Sequence, residues 1–318
     1  MPNETEVEAI IPSYNETMQE IGRQLSLRRG TMTKRVIFMI WPPMLAVISL
    51  VLLNYFYKAG LLRDDWQYSN ILLVAIAAWV LFSIFYYYIL SFIFDIEKRI
   101  WVDSFFDKKN LDPKDSWRIA KKLFWPYFRL QFEAFFRYLL PAIVIFFVLI
   151  VYVITPLTRQ RWFMESDVLP VIIMLPTFII AIYFYYLRVI LRYLPFVFLD
   201  RYGTDEFSYS GLFKEMRKLK KIESAKTHTR TLLTNLSADI FTGFSSIAGA
   251  GVQAGLGQFG VIGKVLGVSA RMTGEEAAKQ VAAIGKIVTV YMLYQFARHQ
   301  LYNEPQHINE GLYSILNP

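Results

Sequence analysis

Four long blocks without a charged side chain dominate this 318-residue sequence. They cover residues 36–57, 71–94, 138–157 and 168–187, and each block holds at least 20 residues. Because about 20 apolar residues in a helix cross a hydrocarbon layer of roughly 30 Å, the blocks predict four transmembrane helices. Buried helices of a large soluble protein are the alternative, but such helices normally keep a polar stripe toward water.

The basic residues alternate in density between these blocks. Residues 1–35, 95–137 and 188–234 contain five, ten and ten Lys or Arg residues, whereas 58–70 and 158–167 contain two each. Loops on the cytoplasmic side of a membrane carry an excess of Lys and Arg. The pattern therefore predicts that a polar N-terminal segment, 1–35, and two basic loops, 95–137 and 188–234, are cytoplasmic.

The formal net charge of +8 follows mainly from these cytoplasmic segments. Basic residues beside an anionic membrane leaflet contribute about 1 kcal/mol each to membrane binding, so anionic lipid headgroups and the bilayer itself are the expected partners. The basic stretch 215–230 could also bind nucleic acid. Its bases alternate with aliphatic residues at three- and four-residue steps, however, which favours a membrane-surface helix without nucleic-acid binding.

Both basic loops contain a predicted helix. In the first loop, Asp112 is placed as an N-cap with Pro113 at the first helical position. This helix is expected to lie in the membrane interface until the chain turns near Pro126. In the second loop, a similar order of an aromatic helix end, an acidic residue, a polar turn and a basic helix entered at Ser210 suggests two related hairpin units.

The stretches 191–219 and 92–123 carry this pattern of aromatic-proline helix end, acid, turn and serine-led basic helix. In this respect residues 36–236 resemble six-helix bacterial membrane proteins related to the membrane domain of some glycerophosphodiester phosphodiesterases. The resemblance implies a membrane helix bundle in the bacterial cytoplasmic (inner) membrane. It implies no particular chemistry, because most members of this group have no defined chemistry.

Glycine is concentrated beyond these loops: ten of the 16 glycines lie between residues 243 and 285, among aliphatic neighbours. The pairs Gly251–Gly255 and Gly263–Gly267 each place two small residues one helical turn apart, a spacing that lets a second helix approach closely in lipid. The partner helix could belong to this chain, to a second copy or to another subunit. A broken or re-entrant segment and a soluble lobe are the alternatives.

The last predicted helix begins at Thr273, with Glu276 at capping-box spacing, and runs to residue 300. With this segment and the glycine-rich one, the fold class is predicted as an all-α, polytopic transmembrane helix bundle of about six spans over residues 36–300. Residues 301–318 are then a cytoplasmic tail, and both ends of the chain are cytoplasmic.

The sequence offers few residues for catalysis or metal binding. It has no cysteine and three histidines, none of them paired with acids at metal spacing, so no metal site, catalytic residue or cofactor is predicted. The glycines at 255, 257 and 260 match G-x-G-x-x-G, but they follow no predicted strand. The sequence therefore favours a non-catalytic protein but leaves the question of an enzyme open.

Charged residues near the ends of the predicted spans are the remaining candidate site. They share positions at which long side chains reach headgroups, and they could form ion pairs with each other, contact lipid phosphates, line a vestibule for an anion, or mark a proton or ion path. These candidate headgroup or anion contacts are Arg129, Glu133, Arg137, Arg188, Arg192 and Asp239.

Three functions are compatible with the sequence. The first is a non-catalytic accessory or scaffold subunit of a membrane complex, held to other membrane protein helices or to a second copy by the glycine face formed by Gly251, Gly255, Gly263 and Gly267. The second is a small transporter or channel with a basic cytoplasmic vestibule. The third, a membrane-bound lipid enzyme, would have to use Glu133, Arg188, Arg192 and Asp239.

Overall fold

The computed structural model describes residues 14–58, 66–106, 111–149, 191–205, 207–222 and 225–302, together with Gly60 and scattered residues between 151 and 190. The regular structure in these ranges is helical throughout and includes no strand. The predicted all-α class is therefore confirmed for the described residues.

Eight α-helices are described over these ranges. A π-helical turn joins the third helix to the fourth, and a 3-10 turn leads into the fifth. In chain order they are α1 (Tyr14–Lys58), α2 (Trp66–Phe106), α3 (Pro113–Ala134), a π-helix (Phe135–Leu139), α4 (Leu140–Leu149), a 3-10 turn (Leu191–Tyr193), α5 (Leu194–Arg201), α6 (Tyr209–Lys221), α7 (Ala225–Gly257) and α8 (Gly260–Tyr302).

Three described helical stretches are long and apolar enough to cross a membrane: Ser26–Lys58, Ile71–Ser104 and Pro113–Val148. They contain the first two predicted blocks and the start of the third. The predicted fourth span, 168–187, lies outside the described residues. Helices α7 and α8 are long enough to span a membrane, but neither contains a stretch as apolar as these three. The count of six spans therefore stays a prediction.

The predicted start of α3 is confirmed, whereas the predicted turn at Pro126 is wrong. The Lys114 backbone N–H donates to the Asp112 carboxylate at 2.9 Å, as expected of an N-cap. The helix then continues past Pro126 and through the π-helix into α4. The apolar residues Leu123 and Leu130, which flank the proline on either side, are fully buried, and this packing keeps the chain helical across a residue that removes one backbone hydrogen bond.

The described chain divides into two units. Unit 1 comprises residues Met1–Lys121 and Ser224–Phe296, and unit 2 comprises Lys122–Glu223 and Ala297–Pro318. Unit 1 thus contains α1, α2, the start of α3, α7 and most of α8. Unit 2 contains the remainder of α3, the π-helix, α4, α5, α6 and the end of α8.

Helices α1 and α2 of unit 1 run antiparallel. The Tyr86 hydroxyl donates to the Phe38 carbonyl at 3.1 Å, and the Arg28 guanidinium lies 4.9 Å from the centre of the Trp101 ring. Contacts further along α2 therefore meet earlier residues of α1. Helix α8 runs parallel to α2. Tyr87 of α2 donates to Glu276 of α8, and further along both helices Tyr291 of α8 donates to Asp103 of α2.

The glycine-rich segment folds as a helical hairpin rather than as one span. Helix α7 ends at Gly257, Gly260 has a positive φ of 73°, and α8 returns along α7. A left-handed residue without a Cβ permits this tight reversal. Two cross-hairpin contacts show the antiparallel register: Ser246 donates to Glu275 at 3.0 Å, and Lys286 donates to Asp239 at 2.6 Å.

The predicted helix start at Thr273 is wrong, because Thr273 lies within α8. Its hydroxyl donates to the Ser269 carbonyl one turn earlier, at 2.8 Å. Such i to i−4 bonding satisfies the hydroxyl inside a helix without capping it. The helix starts earlier, at Gly260, because the first turns of α8 pack against α7. A capping pattern in the sequence gives no information on such packing.

Helix α6 in unit 2 differs from its prediction in two respects. Its N-cap is Ser208, whose hydroxyl accepts from the Gly211 N–H at 3.1 Å, and Ser210 is the second residue of the helix. Its apolar face is also not available to a membrane surface, because Leu212, Phe213 and Met216 are buried in the protein. The spacing of basic and aliphatic residues is compatible with a membrane surface and with a protein interior. The tertiary packing buries the aliphatic face in the protein.

We expect Gly263→Ala to destabilise the hairpin. A Cβ at this position would lie 1.9 Å from the Leu256 carbonyl oxygen, so the two helices would have to separate, which typically costs about 1–3 kcal/mol. The matched control is Gly274→Ala, where a Cβ meets nothing within 4 Å. Thermal unfolding in detergent should show a lower Tm for the first variant only. Equal Tm values for the two variants would contradict the close packing.

Candidate functional site

A buried polar cluster of unit 1 joins α1, α2 and α3. Two guanidinium nitrogens of Arg35 donate to the two carboxylate oxygens of Glu97, at 3.1 and 3.2 Å. The Glu97 side chain is fully buried, and it also accepts from the Ser116 hydroxyl at 3.1 Å. Ser116 in turn accepts from the Trp101 indole N–H at 2.8 Å. Two-point pairing and a third donor satisfy a charge that would otherwise be costly to bury.

A second set of buried polar contacts joins α2 to α8. Lys98 donates to the Gln280 amide oxygen at 2.8 Å, Gln280 donates to Glu276, and Glu276 also accepts from the Tyr87 hydroxyl at 2.8 Å. Asp95 lies 3.6 Å from Lys98 on the same helix. This chain of charge-assisted contacts fixes the register of the two helices, because sliding either helix would strand a buried charge.

Unit 2 has its own ion pairs, one buried and one partly buried. Arg298, near the end of α8, pairs with Asp200 of α5, and both side chains are less than a tenth exposed. Arg201 pairs with Glu215 at 3.0 Å, and Glu215 also accepts from the Tyr302 hydroxyl at 3.2 Å. Burial raises the pKa of the Tyr302 phenol, and the nearby Glu215 carboxylate raises it further, so the phenol stays protonated as a donor.

Three of the predicted headgroup contacts come together in unit 2. Glu133 lies between Arg129 and Arg137, at 3.5 and 3.4 Å from their guanidinium nitrogens. The two guanidinium groups also stack on aromatic rings of α6, Arg129 on Tyr209 at 4.7 Å and Arg137 on Phe213 at 4.6 Å. The three residues therefore form an ion-pair ladder against α6, and the side chains of both arginines remain well exposed.

The other predicted contacts are distributed differently. Arg192 belongs to unit 2, is buried, and has its guanidinium 4.8 Å from the centre of the Tyr193 ring. Asp239 belongs to unit 1, where it accepts from Lys286 of the hairpin. Arg188 lies outside the described residues.

The four predicted packing glycines divide into two pairs. A Cβ at Gly267 would lie 3.0 Å from the Gln253 backbone, and Gly263 is closer still to α7, so both face the other arm of the hairpin. At Gly251 and Gly255, in contrast, a Cβ would meet no described atom within 4 Å. The first pair thus packs within the chain, and the second pair lies on an open face of α7.

A groove of about 480 Å³ opens where α1 and α7 end and α8 begins. Its polar lining includes two lysines, one from α1 and one from α8, and its apolar lining comes from all three helices. The lining residues are Val51, Asn54, Tyr55, Lys58, Ala250, Gln253, Ala254, Gly257, Val261, Lys264 and Val268. We call it the hairpin-end groove.

Several structural contacts could not be found by sequence reasoning. The buried residues Glu97, Lys98 and Asp103 lie in a stretch that is predicted to be a cytoplasmic loop, yet α2 continues through it. The available signal was the helical spacing of Asp95 from Lys98 and Arg99, which extends the helix past the apolar block. No comparable signal identifies the partners of Glu97 on α1 and α3, or those of Lys98 and Asp103 on α8.

The described residues contain no group of three or more His, Cys, Asp or Glu side chains that could hold a metal ion. No protein-family description, curated protein or solved structure matches the chain.

We expect Glu97→Gln to reduce stability strongly. The amide would leave the partly buried Arg35 without its counter-ion, and since breaking a fully buried pair typically costs about 3–5 kcal/mol, we expect a loss of up to that size. Asp115→Asn is the matched control, since its pair with Arg118 spans 3.5 Å between half-exposed side chains and should contribute under about 1 kcal/mol. The measurement is the unfolding midpoint of each variant in detergent. Similar losses of stability in the two variants would be inconsistent with the buried cluster.

Proposed function

We propose that this protein is a non-catalytic, multipass integral membrane protein that serves as an accessory or scaffold subunit of a membrane complex. The observation that carries this proposal is the open pair Gly251 and Gly255 on α7. In lipid, helices associate through close packing at small residues rather than through a hydrophobic drive. An unfilled small-residue face is therefore suited to a helix of another chain.

The division of the glycines supports the same proposal. Gly263 and Gly267 show that this segment packs backbone against backbone when a helix is available within the chain. The open pair repeats the same four-residue spacing on α7 without such a partner among the described residues. The neighbouring side chains on α7 are exposed and apolar, including Phe244 and Val252, so the face could be covered by a partner helix in the bilayer.

The proposed topology has six spans with the N-terminus in the cytoplasm. The three apolar helical stretches support membrane embedding, and the alternation of basic segments supports the orientation. Helices α7 and α8 would supply the last two spans, with the turn at Gly257–Gly260 on the far side. A bacterial cytoplasmic membrane is the proposed location on the basis of the family resemblance.

A small transporter is the second candidate, favoured by one observation. At the contact of α7 and α8, Arg271 donates to Glu275 at 2.7 Å and to Gln253 at 2.9 Å, which places polar groups along the hairpin. The interior of unit 1 beyond them is closely filled by buried aromatic residues, including Phe94 and Tyr294. This filling favours the scaffold over a continuous polar path.

The scaffold proposal predicts that Gly251→Leu combined with Gly255→Leu weakens association with the partner. Two leucines would hold a docking helix away, and a loss of about 1.4 kcal/mol lowers affinity tenfold. Gly243→Leu is the matched control, because it also lies on α7 and a Cβ there meets nothing within 4 Å. The measurement is the yield of a stoichiometric partner, or of a second tagged copy, in a mild-detergent pull-down. Undiminished association in the double variant would count against the proposal.

The proposed topology can be tested by single-cysteine labelling, since the natural chain has no cysteine. Phe259→Cys, at the 76% exposed tip of the hairpin, should react with a membrane-impermeant maleimide on intact cells. Lys218→Cys, on the exposed face of α6, should react only after permeabilisation. The reverse pattern would refute the orientation, and protection of both sites before permeabilisation would refute the crossing of the hairpin.

A further inference from the structure

The hairpin-end groove has a polar rim and an apolar interior. The last residue of α1, Lys58, lies at the helix ends, as do Gly257 and Val261, and Lys264 lies one turn along α8. Two turns from these ends, the lining consists of Val51, Ala250 and Val268 from the three helices. The groove therefore changes from charged to apolar along the helix axes.

The rim carries positive charge, and the described part of the chain supplies no matching carboxylate there. Among the described residues, no carboxylate lines the groove or forms an ion pair with Lys58 or Lys264. Asn54 and Tyr55 add neutral hydrogen-bond donors to the same lining. Two positive charges with no counter-ion among the described residues, together with neutral donors, suit an anionic oxygen group such as a phosphate.

The combination of charge and apolar lining specifies the class of ligand. A small soluble anion would use the rim alone and would leave the apolar interior in contact with water. An anionic lipid places its phosphate at the rim and its acyl chain along Val51, Ala250 and Val268, which matches the direction in which the lining becomes apolar. The groove volume of about 480 Å³ is within the range of small-molecule sites.

We propose that the hairpin-end groove binds the headgroup and upper acyl chain of one anionic phospholipid, with Lys58 and Lys264 contacting the phosphate. This site uses none of the ladder residues Arg129, Glu133 and Arg137. It also uses other residues than the scaffold face, because the open pair Gly251 and Gly255 does not line the groove.

The test compares lipid retention by the full chain in native mass spectrometry after extraction from detergent containing phosphatidylglycerol or phosphatidylcholine. The test variant is Lys58→Gln with Lys264→Gln. The control, Lys218→Gln with Lys221→Gln, removes the same charge from two exposed positions of α6. A third arm adds inorganic phosphate as a competitor to the wild-type chain.

The wild-type and control chains should each retain one phosphatidylglycerol in preference to phosphatidylcholine. Because each lysine attracts an anionic lipid, the fraction of the test variant that carries this lipid should be lower by about tenfold or more. Millimolar phosphate should not displace the lipid. Equal retention by the test and control variants, no preference for phosphatidylglycerol, or displacement by phosphate would each overturn the proposal. Because the readout is lipid mass, failure here leaves the helix-association result for Gly251 and Gly255 unaffected.

Discussion

The need to satisfy buried charge shapes unit 1 more than any other constraint. Arg35 and Glu97 bring together α1 and α2, and Ser116 brings the start of α3 to the same carboxylate. An unpaired charge at this depth would cost several kcal/mol, so the helices can adopt only the register that pairs it. The Lys98–Gln280 contact extends the same constraint to α8.

In the hairpin, the structure depends on glycine because glycine has no Cβ. At Gly260 a positive φ allows the reversal between α7 and α8, and at Gly263 the missing Cβ lets the two backbones touch. Gly251 and Gly255 have the same chemistry, but a Cβ at either would meet no described atom within 4 Å. One composition bias thus serves a turn, an internal contact and a surface that we propose for a partner helix.

The two proposals concern separate surfaces of unit 1. The open glycine face requires a backbone at close range, whereas the hairpin-end groove offers positive charge above an apolar lining. A membrane subunit can use both, since protein helices and lipid anions do not compete for the same groups. The ion-pair ladder of unit 2 differs from both, because Glu133 already neutralises part of its charge.

The sequence by itself determined the helical class and the apolar stretches that suit a bilayer, because both depend on local composition and length. It also located the helix start at Asp112, where a single side chain caps the next turn. It could not place Asp200 against Arg298, which are 98 residues apart, or separate the packed glycines from the open ones. Those outcomes were decided by the tertiary structure, because the partner of a buried charge or a missing Cβ depends on which helices lie side by side, and residue spacing within one helix carries no record of that.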